Sequence, residues 1–433
     1  MKINKIKIDK LFEIFDYTIS LENSESLLLI TGPNGFGKTM ILNIIFSLFN
    51  RKFLFFQNLV FQRIEITLDK KVSIVIFKRK EKDKSHVQFQ FLNNGKEIGA
   101  FDYSDKLETD LIKNISRYLP IGRLGENTWI DHRTEKVITI DTIINEYADQ
   151  LPEEVSKNIL KINSEKVNEI LNSIKVHLIR EQRLFRKVQN TEKNYREEKD
   201  QTIMIETIQT YAKELRQAIS QASQQSFRIS QQLDSSYPDR LLQEKNVLTE
   251  DEYTERFNNL KIKQEKLSNN GLYESKRQLL GFSQEDSKAL LVYLNDLEQK
   301  LEVFDSLLEK LELFSGILNE RRFTFKAIYI DREKGFYFKT QTGKELELNQ
   351  LSSGEQHEVV LLYELIFNAK PNVLVLIDEP EISLHITWQK EFLNDLLKIV
   401  KIQNIQVLIA THSPSIINDR WDLVYNLEKN EVL

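Results

Sequence analysis

Gly32-Pro33-Asn34-Gly35-Phe36-Gly37-Lys38-Thr39 matches the phosphate-binding pattern G-x-x-x-x-G-K-[ST] at every fixed position. The apolar run Leu27-Leu28-Leu29-Ile30 leads in as a buried strand, and Met40 to Phe46 leads out with helical character. The 433-residue chain holds only 13 glycines, about 3% against roughly 7% in average usage. Three of them fall between positions 32 and 37, so the turn is not background. Glycines there let the backbone curl until successive N–H groups point inward at phosphate oxygens, and the following helix adds its positive end. Residues 32–38 then cradle the phosphates of ATP. Lys38 reaches the β- and γ-phosphates, and the Thr39 hydroxyl ligates Mg²⁺.

A second run supplies the acids such a loop needs. Val373-Leu374-Val375-Leu376-Ile377 is fully apolar and ends in Asp378-Glu379-Pro380. It reads as a central parallel strand that delivers two carboxylates at its C-terminal edge, where α/β sheets bind ligands. Asp378 holds Mg²⁺ in this reading, and Glu379 polarises the water that attacks the γ-phosphate.

Bulk composition narrows the rest. A net charge of −5 neither implies nor excludes nucleic acid. Without cysteine there are no disulfides or thiolate metal sites, and a reducing cytoplasm is the natural compartment. The N-terminus alternates charged and apolar residues from Lys2 to Ile8, which is a strand pattern and not the core of a signal peptide. No apolar run approaches the ~18 residues that span a membrane. The six histidines, at 86, 132, 177, 357, 385 and 412, show no metal-ligand spacing.

Along the chain, strands are expected at residues 5–10, 17–21, 64–68, 72–77 and 87–92, with Lys78-Arg79-Lys80 as a solvated strand end. Leu119 to Arg123 and Trp129 read as loops, and Ile174 to Ile179 as a strand. From about 190 to 320 Glu, Lys, Gln and Leu dominate. Leu290, Leu294, Leu297, Leu301, Phe304, Leu308 and Leu311 follow the alternating four-three spacing of a coiled-coil seam, and Ser283 with Asp286 suits a capping box before it. Residues 192–233 are helical in composition, with Ser235-Ser236-Tyr237-Pro238 ending them. Two arrangements satisfy this pattern: a projecting antiparallel hairpin, or a helical subdomain whose stripe packs on the core. Strands return at 323–330 and 335–340, followed by a helix from Gln356 to Phe367 and an alternation of helix and strand.

Five motifs in order carry a resemblance: the phosphate loop, Leu351-Ser352-Ser353-Gly354-Glu355-Gln356, Asp378-Glu379-Pro380, Ile382-Ser383-Leu384-His385, and Ala410-Thr411-His412-Ser413-Pro414. The chain resembles the ABC ATPase superfamily, in its OLD-like and SMC/RecF-like branch. Within that branch it looks like the ATPase subunits of Septu-type and PARIS-type anti-phage systems. The resemblance implies an α/β fold: an ABC-type ATPase head, a mixed sheet with the phosphate loop, carrying an inserted helical or coiled-coil hairpin. Residues 1–189 and 321–433 would form the head and 190–320 the insertion. It further implies that Ser352, Ser353, Gly354 and Glu355 meet nucleotide held by a second subunit in a head-to-tail dimer or higher oligomer. Ser383 to His385 would cross that seam, and His412 would sense the γ-phosphate. Gln182 would coordinate Mg²⁺ or the attacking water, with Gln57 and Gln62 as its rivals. Few residues follow His412 in this sequence, so any cutting is expected from a separately encoded nuclease, with nucleic acid or a phage protein as trigger. A RecF/SMC-like repair or maintenance ATPase that grips DNA itself is the alternative. No membrane role is expected.

Overall fold

The computed structural model describes residues 1–22, 25–81, 84–103, 121–125, 128–131, 137–139, 164–180, 183–189, 202–273, 281–323, 325–382 and 384–432. Gln182, Ser383 and most of the stretch between 104 and 163 lie outside the described residues. The chain folds as two compact units, one of Met1–Met204 with Asn368–Leu433, the other of Ile205–Phe367.

The first unit is α/β and built on two six-stranded sheets. One runs in the order Lys175–Ile179, Val373–Asp378, Gln406–Ala410, Leu27–Thr31, Val424–Asn426, Glu431–Val432. Its first five strands are parallel and the last is antiparallel. Leu27–Ile30, Val373–Ile377 and Gln406–Ala410 are buried throughout. Covered faces on both sides select continuous apolar runs over alternation. The register pairs Ile30 with Ala410 and Ala410 with Asp378, so three strands end at one level. The phosphate loop, Glu379 and His412 leave from that shared edge. The helix Lys38–Phe49 packs against three of these strands with Ile41, Leu42, Ile44, Ile45 and Leu48 buried.

The other sheet is antiparallel, in the order Phe15–Ser20, Ile3–Leu11, Arg63–Leu68, Val72–Glu81, Lys84–Asn93, Lys96–Tyr103. Here burial alternates, and Ile6, Ile8, Ile64, Ile66, Ile74, Ile76, Phe89 and Phe91 enter the core with Phe53 and Phe56. Burying each such side chain contributes about 1.5–3 kcal/mol before entropy is counted. Two expectations change in this unit. Lys78 is not a solvated strand end: its Nζ donates to the Gln57 carbonyl at 2.7 Å and lies over the Phe61 ring. Ile121–Arg123 and Thr128–Asp131 are paired strands and not loops, because Trp129 is buried and its neighbours must satisfy their backbone groups in a ladder.

The second unit carries the helical insertion. Helices span Thr207–Gln243, Glu250–Asn269, Ser287–Glu302 and Asp305–Ile317. All seven seam residues from Leu290 to Leu311 are buried. The seam is nevertheless split, because the chain turns at Val303 and Phe304 between two helices. Ser287–Glu302 packs on both Thr207–Gln243 and Glu250–Asn269. Ion pairs lace the group: Arg240 with Asp296, Arg256 with Glu298, and Lys300 with Asp234. Pro238 does not end its helix. In the turn before it the Ser235 and Ser236 hydroxyls donate to the Gln232 carbonyl and Arg240 to that of Leu233, side-chain bonds that brace the helix where the ring removes the N–H bond to Asp234. No capping box forms at Ser283, which precedes only a single turn at Gln284–Asp286. Boxes form instead at Thr249 with Glu252 and at Ser352 with Glu355.

Candidate functional site

The phosphate loop is shaped as its glycines require. Gly35 and Gly37 have φ of +90° and +85°. A Cβ on Gly37 would also come within 3.1 Å of Leu11 Cδ2. Left-handed backbone of this kind suits glycine, whereas other L-residues meet their own carbonyl. Gly37 caps the helix that begins at Lys38, directing unpaired N–H groups into the loop. The Phe36 carbonyl accepts from the Tyr17 hydroxyl at 2.8 Å, which ties the loop to the antiparallel sheet.

Lys38 is only 6% exposed. Its Nζ donates to the carbonyls of Gly32 at 2.9 Å and Pro33 at 3.5 Å, and lies 3.8 Å from Glu379 Oε1. The Thr39 hydroxyl donates to Asp378 Oδ1 at 3.0 Å. Residues more than 300 positions apart thus offer two hard oxygens side by side, a donor set that suits Mg²⁺.

Glu379 stands at the centre. Its φ is +45°, a left-handed conformation that costs a non-glycine residue about 1–3 kcal/mol and recurs at functional sites. Its N–H donates to the Ala410 carbonyl at 2.9 Å, so the next strand holds the turn. The Glu379 carboxylate is bounded by Lys38 on one side and by His412 Nδ1, 2.5 Å from Oε2, on the other. Burial, and then the neighbouring Glu381 carboxyl, push the Glu379 carboxyl up to about 7, while His412 draws it back. Glu379, Glu381 and His412 bring one ligand atom each within 4.8 Å of one another.

Of the residues singled out from the sequence, Lys38, Thr39, Asp378, Glu379 and His412 meet at one sheet edge. Ser352 to Glu355 belong to the second unit. There Ser352 caps the helix Ser353–Tyr363, and the Glu355 carboxylate accepts from the Ser352 N–H and hydroxyl while pairing with Lys326 at 2.8 Å. Gln57 gives its carbonyl to Lys78, and the Gln62 N–H donates to the Asp9 carbonyl. His385 caps Ile386–Gln403. Sequence reading missed Glu381 and Gln389. Glu381 could have been noticed as the third acid of Asp-Glu-Pro-Glu, but nothing in the spacing marks Gln389.

A phosphate loop whose lysine, threonine and strand-end acids converge this way defines a P-loop ATPase head. The chain belongs to the AAA_15 family, the AAA ATPase domain whose model matches residues 1–417. Among solved structures it is similar to the Smc head domain with an extended coiled coil bound to the C-terminal domain of ScpA from Pyrococcus furiosus. Identity there is 14%, with 96% of this chain and 91% of that chain covered and a TM-score of 0.37. It is also similar to the SMC head domain from Thermotoga maritima, at 12% identity, 98% and 94% coverage and a TM-score of 0.34. Among the described residues no helix is long and apolar enough to cross a membrane.

Proposed function

We propose that this chain binds ATP with Mg²⁺ and hydrolyses it, as the nucleotide-controlled scaffold of a cytoplasmic anti-phage complex whose cutting is done by a separately encoded nuclease. The observation that carries hydrolysis is the placement of Glu379 between Lys38 and His412, beside the Thr39–Asp378 pair. Thr39 and Asp378 would hold Mg²⁺, which when bound offsets charge on the phosphate oxygens; Gln182 is the candidate for a further ligand. Lys38 exchanges its loop carbonyls for β- and γ-phosphate oxygens. Glu379 accepts the proton of the attacking water, and His412 fixes the Glu379 carboxylate and faces the departing phosphate.

Completion of the site by a second copy, through Ser352, Ser353 and Gly354, is supported by the resemblance to the ABC arrangement and by the helix N-terminus at Ser353. The five motifs fit the defence and the repair readings alike, and a neighbouring reading frame encoding a nuclease would favour defence. Glu379→Gln tests the chemistry: ATP binding should persist while turnover slows by about 10² to 10⁴. Full turnover in that variant would move the base elsewhere. Loss of phage protection on deleting the chain or its partner nuclease tests the role. Tight, salt-dependent binding of duplex DNA by the isolated protein would instead favour a RecF/SMC-like repair or maintenance ATPase.

A further inference from the structure

Beside Glu379 and His412 lies a third side chain, which collects three hydrogen bonds on one oxygen. Glu381 is 8% exposed. Its Oε1 accepts from the Thr411 hydroxyl at 2.7 Å, from the His412 N–H at 3.0 Å and from the Ser413 N–H at 3.1 Å. His412 Nδ1 is 3.3 Å from the same oxygen. The loop is held from its far side as well. The Ser413 hydroxyl donates to Gln389 Oε1 at 2.9 Å, and Gln389 Nε2 donates to the carbonyls of Leu384 at 3.0 Å and Glu381 at 3.4 Å. Thr411 is fully buried.

We infer that Glu381 is a positioning residue, whose carboxylate fastens Thr411–Ser413 to the turn after Val373–Asp378 and thereby sets where His412 stands against Glu379. The inference rests on the hydrolysis reading for its consequence, though not for its geometry. Two loops leave adjacent strands at one edge, and past the Asp378–Ala410 pair the sheet bonds run out after the Glu379 N–H on the Ala410 carbonyl and the Thr411 N–H on that of Ile30. From there one buried acceptor takes over, receiving the Thr411 hydroxyl and the N–H groups of His412 and Ser413. Deleting it would take an acceptor from the buried Thr411 hydroxyl and from the half-buried His412 and Ser413 N–H groups. Ser413 would keep the Thr411 hydroxyl oxygen at 3.0 Å, and the freed donors would seek water by moving the loop. A shift of about 1 Å at His412 would then cost turnover far more than nucleotide affinity, since Lys38 and the loop N–H groups are untouched.

The test compares Glu381→Gln, which keeps an acceptor oxygen of the same reach, with Glu381→Leu, which keeps the volume and removes the acceptor. Amide hydrogen exchange at His412 and Ser413 in the full nucleotide-free chain should quicken about tenfold or more in the leucine variant and stay slow in the glutamine variant. With MgATP, the leucine variant should lose about 10²-fold in kcat while KM changes less than about threefold, and the glutamine variant should recover at least about tenfold of that loss. Unchanged exchange in Glu381→Leu would overturn the inference. So would a glutamine variant with slow exchange and leucine-like kcat, since charge and not attachment would then be at work. If Glu381→Leu does not fold, Thr411→Val removes one of the three donors at nearly constant shape, together with the hydroxyl oxygen that the Ser413 N–H reaches at 3.0 Å. It should quicken exchange at His412 as well as at Ser413, with a partial loss of kcat; wild-type kcat and exchange there would equally overturn the inference. A wild-type chain that binds ATP without turning it over would sink the hydrolysis reading, while the exchange measurement still decides the attachment.

Discussion

At Lys38 the ammonium group is surrounded by carbonyls of its own loop and by one carboxylate oxygen. Those are weak holds compared with two phosphate oxygens, so the side chain is poised to exchange them. Lys38→Ala should weaken ATP binding at least about 10²-fold, the worth of two charge-assisted hydrogen bonds, with little effect on folding. Titration calorimetry checks it, and tight ATP binding would make the loop ornamental. Glu379 sets the pH behaviour. Its carboxyl is pushed up to about 7 by burial and by Glu381, so below that pH the base carries a proton and cannot accept another. The kcat/KM for ATP should rise with pH through an inflection near 7, as the free enzyme's base ionises. The stability term has the opposite sign. The folded chain keeps a proton that the unfolded one loses above about 4.5, so this contribution is complete at low pH and is lost as pH rises through 7.

At the scale of elements, the hairpin Lys326–Asp331 with Gly335–Thr340 shows how closely the second unit is packed. Gly335 has φ of +77°, and a Cβ there would sit 2.0 Å from the Ala212 carbonyl oxygen of the Thr207–Gln243 helix. Any side chain must push a helix backbone away and also adopt a left-handed conformation. Gly335→Ala should destabilise this unit by about 3 kcal/mol, read as a lowered midpoint in denaturant while the first unit keeps its own transition. The seam teaches a related lesson. Its four-three spacing marked buried positions correctly, since Leu294, Leu301 and Leu311 are fully buried. It could not show the turn at Val303, because a helix that breaks and resumes preserves the alternation of buried and exposed residues. Pro238 misled for the opposite reason: the proline removes only its own bond to the carbonyl four residues back, and Arg240, paired with Asp296, reaches the Leu233 carbonyl and braces the turn before it.

At the scale of the whole molecule, the proposed active form contains two chains related by a two-fold axis. Each would lend its Ser352–Gly354 segment to nucleotide on the other. Lys38→Ala and Ser352→Arg chains should each be inactive alone. Mixed in equal amounts after subunit exchange, they should regain up to about a quarter of the wild-type sites, because half the dimers are mixed and each holds one intact composite site. Ser352→Arg also removes a helix cap worth about 1 kcal/mol, so its melting curve belongs in the experiment. A mixture that stays inactive while wild-type subunits demonstrably exchange would require a site closed within one chain.

By itself the sequence determined the phosphate loop, the two acids at a strand end and His412 after another strand, because these depend on local order: glycine where φ is positive, apolar runs where a strand is covered on both faces. It also determined that the seven seam positions from Leu290 to Leu311 are buried, since burial repeats with the period of the helix. Tertiary structure alone decided which polar groups meet. Thr39 finds Asp378 and Glu379 finds His412 only because the Gln406–Ala410 strand lies between Leu27–Thr31 and Val373–Asp378 in matched register. Glu381 is the plainest case. As a letter it is one more acid after a proline, and only folding brings the Thr411, His412 and Ser413 donors onto one of its oxygens, Oε1. Hydrogen bonds between residues 30 to 339 positions apart leave no period in the chain that makes them.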